Sequence, residues 1–173
     1  MTLGETPAVV LAASWRDLSD VLALERVCFE KDPWPWPDVL AALTFPETVR
    51  LKAVVDVRMV GFVVGDRRRR ERDGWIASIG VHPDYRLRGI GRQLLEACEK
   101  ELGMPRLRLT LRASNQAARR LYDQAGYAAV DFWRKYYHDG EDGVVMEKKI
   151  QPTEAAPGPS SGSSTTGPSE TSP

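Results

Sequence analysis

Histidine and cysteine are scarce in this chain of 173 residues, which holds two of each: His82, His138, Cys28 and Cys98. Both cysteines fall on apolar faces of amphipathic helices and read as buried small hydrophobes in a reducing compartment. Neither has a histidine beside it in sequence to form a thiolate pair. Both histidines fall in loops and read as surface residues rather than catalysts. No metal is expected. Net charge is lacking too, with 24 Lys and Arg against 24 Asp and Glu, which argues against a surface that coats nucleic acid. No apolar run approaches transmembrane length and no secretion signal opens the chain, so the expected setting is the cytoplasm, away from membranes. A Gly-Lys-Ser/Thr phosphate loop is missing, and so is an acidic residue placed to hold the ribose of a dinucleotide. No internal repeat is visible.

One stretch breaks the charge balance: Arg67-Arg68-Arg69-Arg70-Glu71-Arg72. It falls between two strand-like runs, Met59 to Gly65 and Trp75 to Val81, and so tips a hairpin. It reads as a solvated loop, or as a contact to RNA or to an acidic protein surface. No aromatic residue interleaves with the arginines, which weakens the nucleic-acid reading. From Gln151 onward the chain is almost all Pro, Ser, Thr, Gly and Glu. Such a segment buries too little surface to offset its ordering entropy. The expected organisation is a domain over 1–150 and a disordered tail over 151–173.

The richest segment runs Val81-His82-Pro83-Asp84-Tyr85-Arg86-Leu87-Arg88-Gly89-Ile90-Gly91-Arg92. It places Arg-x-x-Gly-x-Gly at the mouth of a helix, where unpaired backbone N–H groups and the helix dipole favour an anion. With nothing bulkier than hydrogen at Gly89 and Gly91, the turn reads as a pyrophosphate cradle. Upstream, Trp75 to Val81 reads as a strand. Downstream, Ile90, Leu94, Leu95, Cys98 and Leu102 recur at helical spacing, and Gly103 and Pro105 end that helix. Leu107 to Leu111 alternates as a strand. The unit is strand–cradle–helix–strand, which predicts a parallel strand pair with a right-handed crossover.

Around it, Val9 to Ala13 reads as a first strand. Ser14-Trp15-Arg16-Asp17 reads as a capping box that opens a helix with Leu18, Val21, Leu22 and Cys28 on its buried stripe. A short helix after Pro37 carries Val39, Leu40 and Leu43. Arg50 to Val57 and Met59 to Gly65 read as a hairpin. Ser114 or Asn115 caps a helix that buries Ala118, Leu121, Tyr122 and Ala125 and stops at Gly126. Two last strands follow, Ala128 to Lys135 and Gly143 to Lys149. The fold class is α/β, or α+β: a mixed sheet with helices on both faces.

The cradle resembles the acetyl-coenzyme A signature of the GCN5-related N-acetyltransferase (GNAT) superfamily, and the resemblance spans residues from about 9 to 150. Leu111-Arg112-Ala113-Ser114-Asn115-Gln116-Ala117-Ala118, then Leu121-Tyr122 and Ala125-Gly126-Tyr127, are similar to the second half of that family. Lys135-Tyr136-Tyr137-His138-Asp139-Gly140-Glu141-Asp142 and Cys28-Phe29-Glu30-Lys31-Asp32-Pro33-Trp34-Pro35 resemble its N-terminal acetyltransferases, both the bacterial enzymes acting on a ribosomal-protein alanine and their archaeal relatives.

The resemblance implies a mostly antiparallel sheet with one central parallel pair. It implies acetyl-CoA as co-substrate, with pantetheine along Ile79-Gly80-Val81, a bulge at Gly80 and the Val81 N–H aimed at the thioester oxygen. The pyrophosphate would lie on Arg86, Leu87, Arg88, Gly89, Ile90, Gly91 and Arg92, with Asn115 a further cofactor contact. Tyr122 would be the acid, since a phenol of reference pKa about 10 is protonated at neutral pH. Relatives place a base where this chain has Thr110, or a tyrosine where it has Trp75. Here the expectation is a water held by Thr110, or the carboxylate of Glu25. Phe29 and Trp34 would form one wall of an acceptor slot, Tyr136 and Tyr137 the other, and Trp36 would close the core. The implied function is acetylation of protein α-amino groups by direct attack in a ternary complex, with a ribosomal protein a candidate acceptor. Lysine or small-amine acetylation, or acetyl-CoA binding without catalysis, are the alternatives.

Overall fold

A computed structural model describes residues 7–150; the Ser/Thr/Pro-rich tail from Gln151 lies outside the described residues. Seven strands form one sheet in the order β1-β2-β3-β4-β5-β7-β6. These are β1 (Val9–Ala12), β2 (Thr48–Val55), β3 (Arg58–Arg68), β4 (Asp73–Val81), β5 (Arg106–Arg112), β6 (Ala128–Trp133) and β7 (Gly143–Lys149). Among them only β4 and β5 pair in parallel. Four helices accompany the sheet: α1 (Leu18–Cys28), α2 (Trp36–Thr44), α3 (Ile90–Leu102) and α4 (Gln116–Gln124).

The alternation of β5 sorts the core into two layers. Leu107, Leu109 and Leu111 are buried on the face that also takes Leu94, Leu95, Cys98 and Leu102 of α3. On the other face Val21, Leu24, Val39 and Leu43, from α1 and α2, pack with Phe62 and Val64 of β3. The helices thus cover both faces, as the sequence pattern predicts.

Ser14 caps as expected, through a reciprocal box with Asp17, but the first turn is a 3-10 turn (Trp15–Asp17) and α1 starts only at Leu18. Its fully buried residues are therefore Val21, Leu24 and Glu25. Cys28 is half-buried, not core, because it ends α1 where the helix opens onto a cleft. Helix α2 begins at Trp36, with Pro37 inside its first turn, where a missing N–H does no harm. Trp36 is 60% exposed and closes no part of the core, a correction to the sequence reading. Strand β6 stops at Trp133, before the expected Lys135, because Lys135 takes φ 51° and starts a turn. Tyr136 and Tyr137 consequently sit in the β6–β7 turn rather than at a strand end. Among the described residues no helix is long and apolar enough to cross a membrane.

Candidate functional site

Strands β4 and β5 pair only from Asp73 to Ile76 and from Arg106 to Leu109. Beyond that they part: β5 continues to Arg112 against β7, and β4 to Val81 against β3. The backbone of β4 from Ala77 to Val81 thus lacks a strand neighbour on one side. A strand edge left open inside a sheet makes a groove suited to an extended, amide-bearing ligand. The irregularity in β4 lies at Ala77, since Val64 pairs with Ser78 and Gly65 with Ile76. The bulge expected at Gly80 is not there. Gly80 instead permits close packing, since a Cβ would come within 3.0 Å of Phe62 Cε1 and 3.1 Å of Cys28 Sγ.

At the end of this groove the chain makes a 3-10 turn (Pro83–Tyr85) and enters α3 through Gly89, whose φ of 77° suits glycine. No side chain caps α3, so its first N–H groups remain available. A Cβ at Gly91 would meet Leu121 Cδ2 at 3.5 Å and Val81 Cγ2 at 3.8 Å, ordinary contacts, so the protein itself does not demand glycine there. Arg86 Nε donates to the Val81 carbonyl at 3.0 Å and folds the cradle back on β4. Arg88 donates to the Asp84 carbonyl at 3.1 Å and stands over Tyr85. Leu87, at φ 62°, is fully exposed, and Arg92 pairs with Glu96 on the helix surface. Ile90 is buried beneath the cradle. Asn115 Oδ1 accepts the Ala118 N–H at 3.0 Å, capping α4. It also lines a cleft of about 310 Å³ with Cys28, Phe29, Asp32, Pro83, Arg86 and Arg112.

An aromatic row runs from β4 across β6 into the β6–β7 turn. Trp75 stacks on Trp133 at 6.0 Å, Trp133 meets Tyr136 at 5.1 Å, and Tyr136 meets Tyr137 at 5.1 Å. Phe29 and Trp34 are half-buried against the α1–α2 core layer. Arg112 joins the two sides: it pairs with Asp32 in the α1–α2 loop and with Asp139 and Glu141 in the β6–β7 turn.

Tyr122 is buried on α4, edge-on to Tyr127 at 5.8 Å, and its hydroxyl makes no hydrogen bond among the described residues. Burial, with the Tyr137 phenol nearby, pushes its pKa well above the usual tyrosine value. Glu25 is no helix-surface glutamate. It is 1% exposed, and its oxygens accept the Ser78 hydroxyl at 3.0 Å and the Trp34 N–H at 3.1 Å. Burial raises its pKa against those two bonds. Thr110 Oγ1 and Trp75 Nε1 are buried without a partner among the described residues. A buried orphan hydroxyl calls for a water or a ligand.

The arginine run is largely spoken for. Arg67 donates to the Leu102 and Glu101 carbonyls at the end of α3, at 3.4 and 2.5 Å. Arg68 stands 4.7 Å from the Trp75 ring centre, and Arg69 pairs with Glu47 at 2.8 Å. Sequence reasoning did not single out Arg112, Ser78 or Asp32. A polar residue inside an otherwise apolar strand was the only local signal for Ser78, while Arg112 merely continues the polar phase of β5 set by Arg106 and Arg108.

An acetyltransferase (GNAT) family model matches residues 15–127. An uncharacterized N-acetyltransferase of Methanocaldococcus jannaschii is 33% identical over 145 residues, 82% of this chain and 91% of that protein. An acetyltransferase of Pectobacterium atrosepticum is 34% identical over 122 residues, 66% of this chain and 84% of that one. Among solved structures, the ribosomal-protein-S18-alanine N-acetyltransferase of Escherichia coli superposes with a TM-score of 0.76 at 25% identity, covering 86% of this chain and 99% of that chain. Ard1 of Thermoplasma volcanium shares the fold, with a TM-score of 0.76 at 23% identity over 84% of this chain and 99% of its own. Parted central strands and a glycine-led helix mouth thus coincide with a match over most of the sequence, and the chain belongs to the acetyltransferase (GNAT) family.

Proposed function

We propose that this chain moves the acetyl group of acetyl-CoA onto the α-amino group of a protein N-terminus, by direct attack in a ternary complex. The observation that carries the acceptor assignment is the meeting of Asp32 and Tyr137 on one guanidinium, Arg112, which draws the α1–α2 loop and the β6–β7 turn together beside the cleft. Between such walls an extended backbone with its amine leading fits better than a long lysine side chain. A ribosomal protein is a candidate acceptor, on the likeness to the S18-alanine enzyme, and the proposed compartment is the cytoplasm.

The cofactor residues are those of the groove and the cradle. Ile79, Gly80 and Val81 would meet the pantetheine, and the backbone from Arg86 to Arg92 the pyrophosphate, with Asn115 beside the cleft. When bound, acetyl-CoA supplies a thioester carbonyl for attack. The Val81 N–H stabilises the charge that develops on that oxygen. Tyr122, kept protonated by burial, returns a proton to the departing thiolate.

The acceptor needs little help to lose its proton, since an α-ammonium has a reference pKa of about 8. Thr110 holds the water that takes the proton. The lone buried Oγ1 supports this reading. Glu25 already has both oxygens engaged and serves the α1–α2 loop instead.

Two peptides test the assignment, with CoA release as the readout. One has a free N-terminus and no lysine; the other is N-blocked with an internal lysine. Release with the first alone is expected. Release with the second alone moves the acceptor to lysine, and silence with both points to small amines or to binding without turnover.

A further inference from the structure

We propose that Arg112 is a positioning residue, a latch that fixes the width of the acceptor slot by tying its two walls to each other. The acceptor half of this proposal rests on the function proposed above.

A guanidinium carries five N–H donors in a planar fork, and here the fork is spent on two loops. Nε donates to Asp32 Oδ2 at 2.9 Å, and Nη2 reaches the same carboxylate. Nη1 donates to both oxygens of Asp139, at 3.0 and 2.9 Å, and to Glu141 Oε2 at 2.7 Å. The group stands over Tyr137, 4.1 Å from the ring centre, and its side chain is only 14% exposed. Glu141 is anchored in turn, because its Oε1 accepts the Ser114 N–H at 2.8 Å. Lys31 adds a second strap to Asp139 at 3.4 Å. Both of its partners are exposed, so it contributes little.

Charge makes the latch one-sided. Asp32, Asp139 and Glu141 converge on this largely enclosed guanidinium, and without it three carboxylates would repel across the slot. Phe29 and Trp34 ride on one of the joined segments, Tyr136 and Tyr137 on the other. Lysine cannot replace arginine here, because a point charge offers neither the fork nor the flat stacking surface.

Hydrogen exchange on the full chain tests the latch without reference to any acceptor. In Arg112→Gln, amides in 29–35 and 134–142 should exchange faster together, by about tenfold or more, the loss expected when charged hydrogen bonds are removed. The cradle, 86–91, should be unchanged. Arg112→Lys should behave as Arg112→Gln does. Asp32→Asn, a milder change, should loosen 29–35 alone. Faster exchange in only one segment of the Arg112→Gln variant, or in neither, overturns the latch, as does full rescue by lysine.

Kinetics then separate positioning from general damage. The peptide KM should rise about tenfold while the acetyl-CoA KM stays within about twofold. Equal changes in both overturn the positioning role. If the wild-type chain acetylates no peptide at all, the N-terminal reading fails alone and the exchange experiment still decides the latch.

Discussion

The Ser78 hydroxyl donates to Glu25 Oε1 at 3.0 Å, tying α1 to β4 two positions before Gly80. The other oxygen takes the Trp34 N–H. One carboxylate thereby fixes a helix, a loop and the strand that borders the groove. Glu25→Gln keeps an acceptor for Trp34 and gains a donor for Ser78. It should leave kcat within about threefold, whereas loss of a general base would reduce it by about a hundredfold or more. Glu25→Ala strips both bonds and opens a cavity, and should lose about 2–4 kcal/mol in urea unfolding. The pH dependence has a definite sign. Burial raises the folded pKa of Glu25 above its ordinary 4.5, so the folded state binds the extra proton. Wild-type stability from this group therefore falls as pH rises above the ordinary value, and Glu25→Gln should gain on wild type in melts as pH is raised from about 4.5.

Tyr122→Phe removes the proposed proton donor and little else, since the hydroxyl makes no hydrogen bond among the described residues. Turnover should fall about a hundredfold with acetyl-CoA affinity within about twofold, as calorimetric titration would show. Because burial raises the phenol's pKa, the wild-type rate should show no alkaline decline where an ordinary tyrosine ionises, near pH 10. Unchanged kcat in the phenylalanine variant removes Tyr122 from the mechanism.

The turn at the mouth of α3 was readable because its geometry is local. The cradle needs a glycine at positive φ at a helix mouth, and Gly89-Ile90-Gly91 states that in consecutive letters. The parallel β4–β5 pair followed from the strand–helix–strand order. What escaped was non-local. Glu25 and Ser78 stand 53 positions apart, and Arg112 and Asp32 80 apart. No periodicity within either segment announces such partners. Trp36 misled for a related reason: apolar character predicts burial only where a neighbouring element arrives to cover it.

Gly89→Ala places a side chain on a backbone at φ 77°, with nothing within 4 Å to clash. The strain alone should lower stability by about 1–2 kcal/mol. If the cradle holds pyrophosphate, the relaxed turn also withdraws N–H groups, and acetyl-CoA affinity should drop about tenfold. Gly89→Glu adds a carboxylate facing the same phosphates and should abolish binding. Wild-type affinity in that variant would contradict the cradle.

Asp139 and Glu141 supply a final test, because both carboxyls sit near pKa 2. For Asp139 the Glu141 N–H leads and Arg112 follows; for Glu141 the bonds from Ser114 lead and Arg112 follows. Their ordinary values are 3.8 and 4.5. A folded pKa depressed in this way adds stability that is complete above the ordinary value and disappears as pH falls toward the folded one. The stability these pairs add should therefore be complete from about pH 5 upward and decline progressively below about pH 4.5, while the folded carboxyls themselves protonate only near pH 2. Arg112→Gln removes part of that depression. Its melting temperature should trail wild type at pH 7 and approach it as pH falls from 4.5 toward 2. Asp139 is exposed and Glu141 partly so, and about 0.5 M salt should therefore narrow the gap at pH 7 as well. A gap that stays constant across this acid range would mean that Arg112 stabilises the chain through packing on Tyr137 alone.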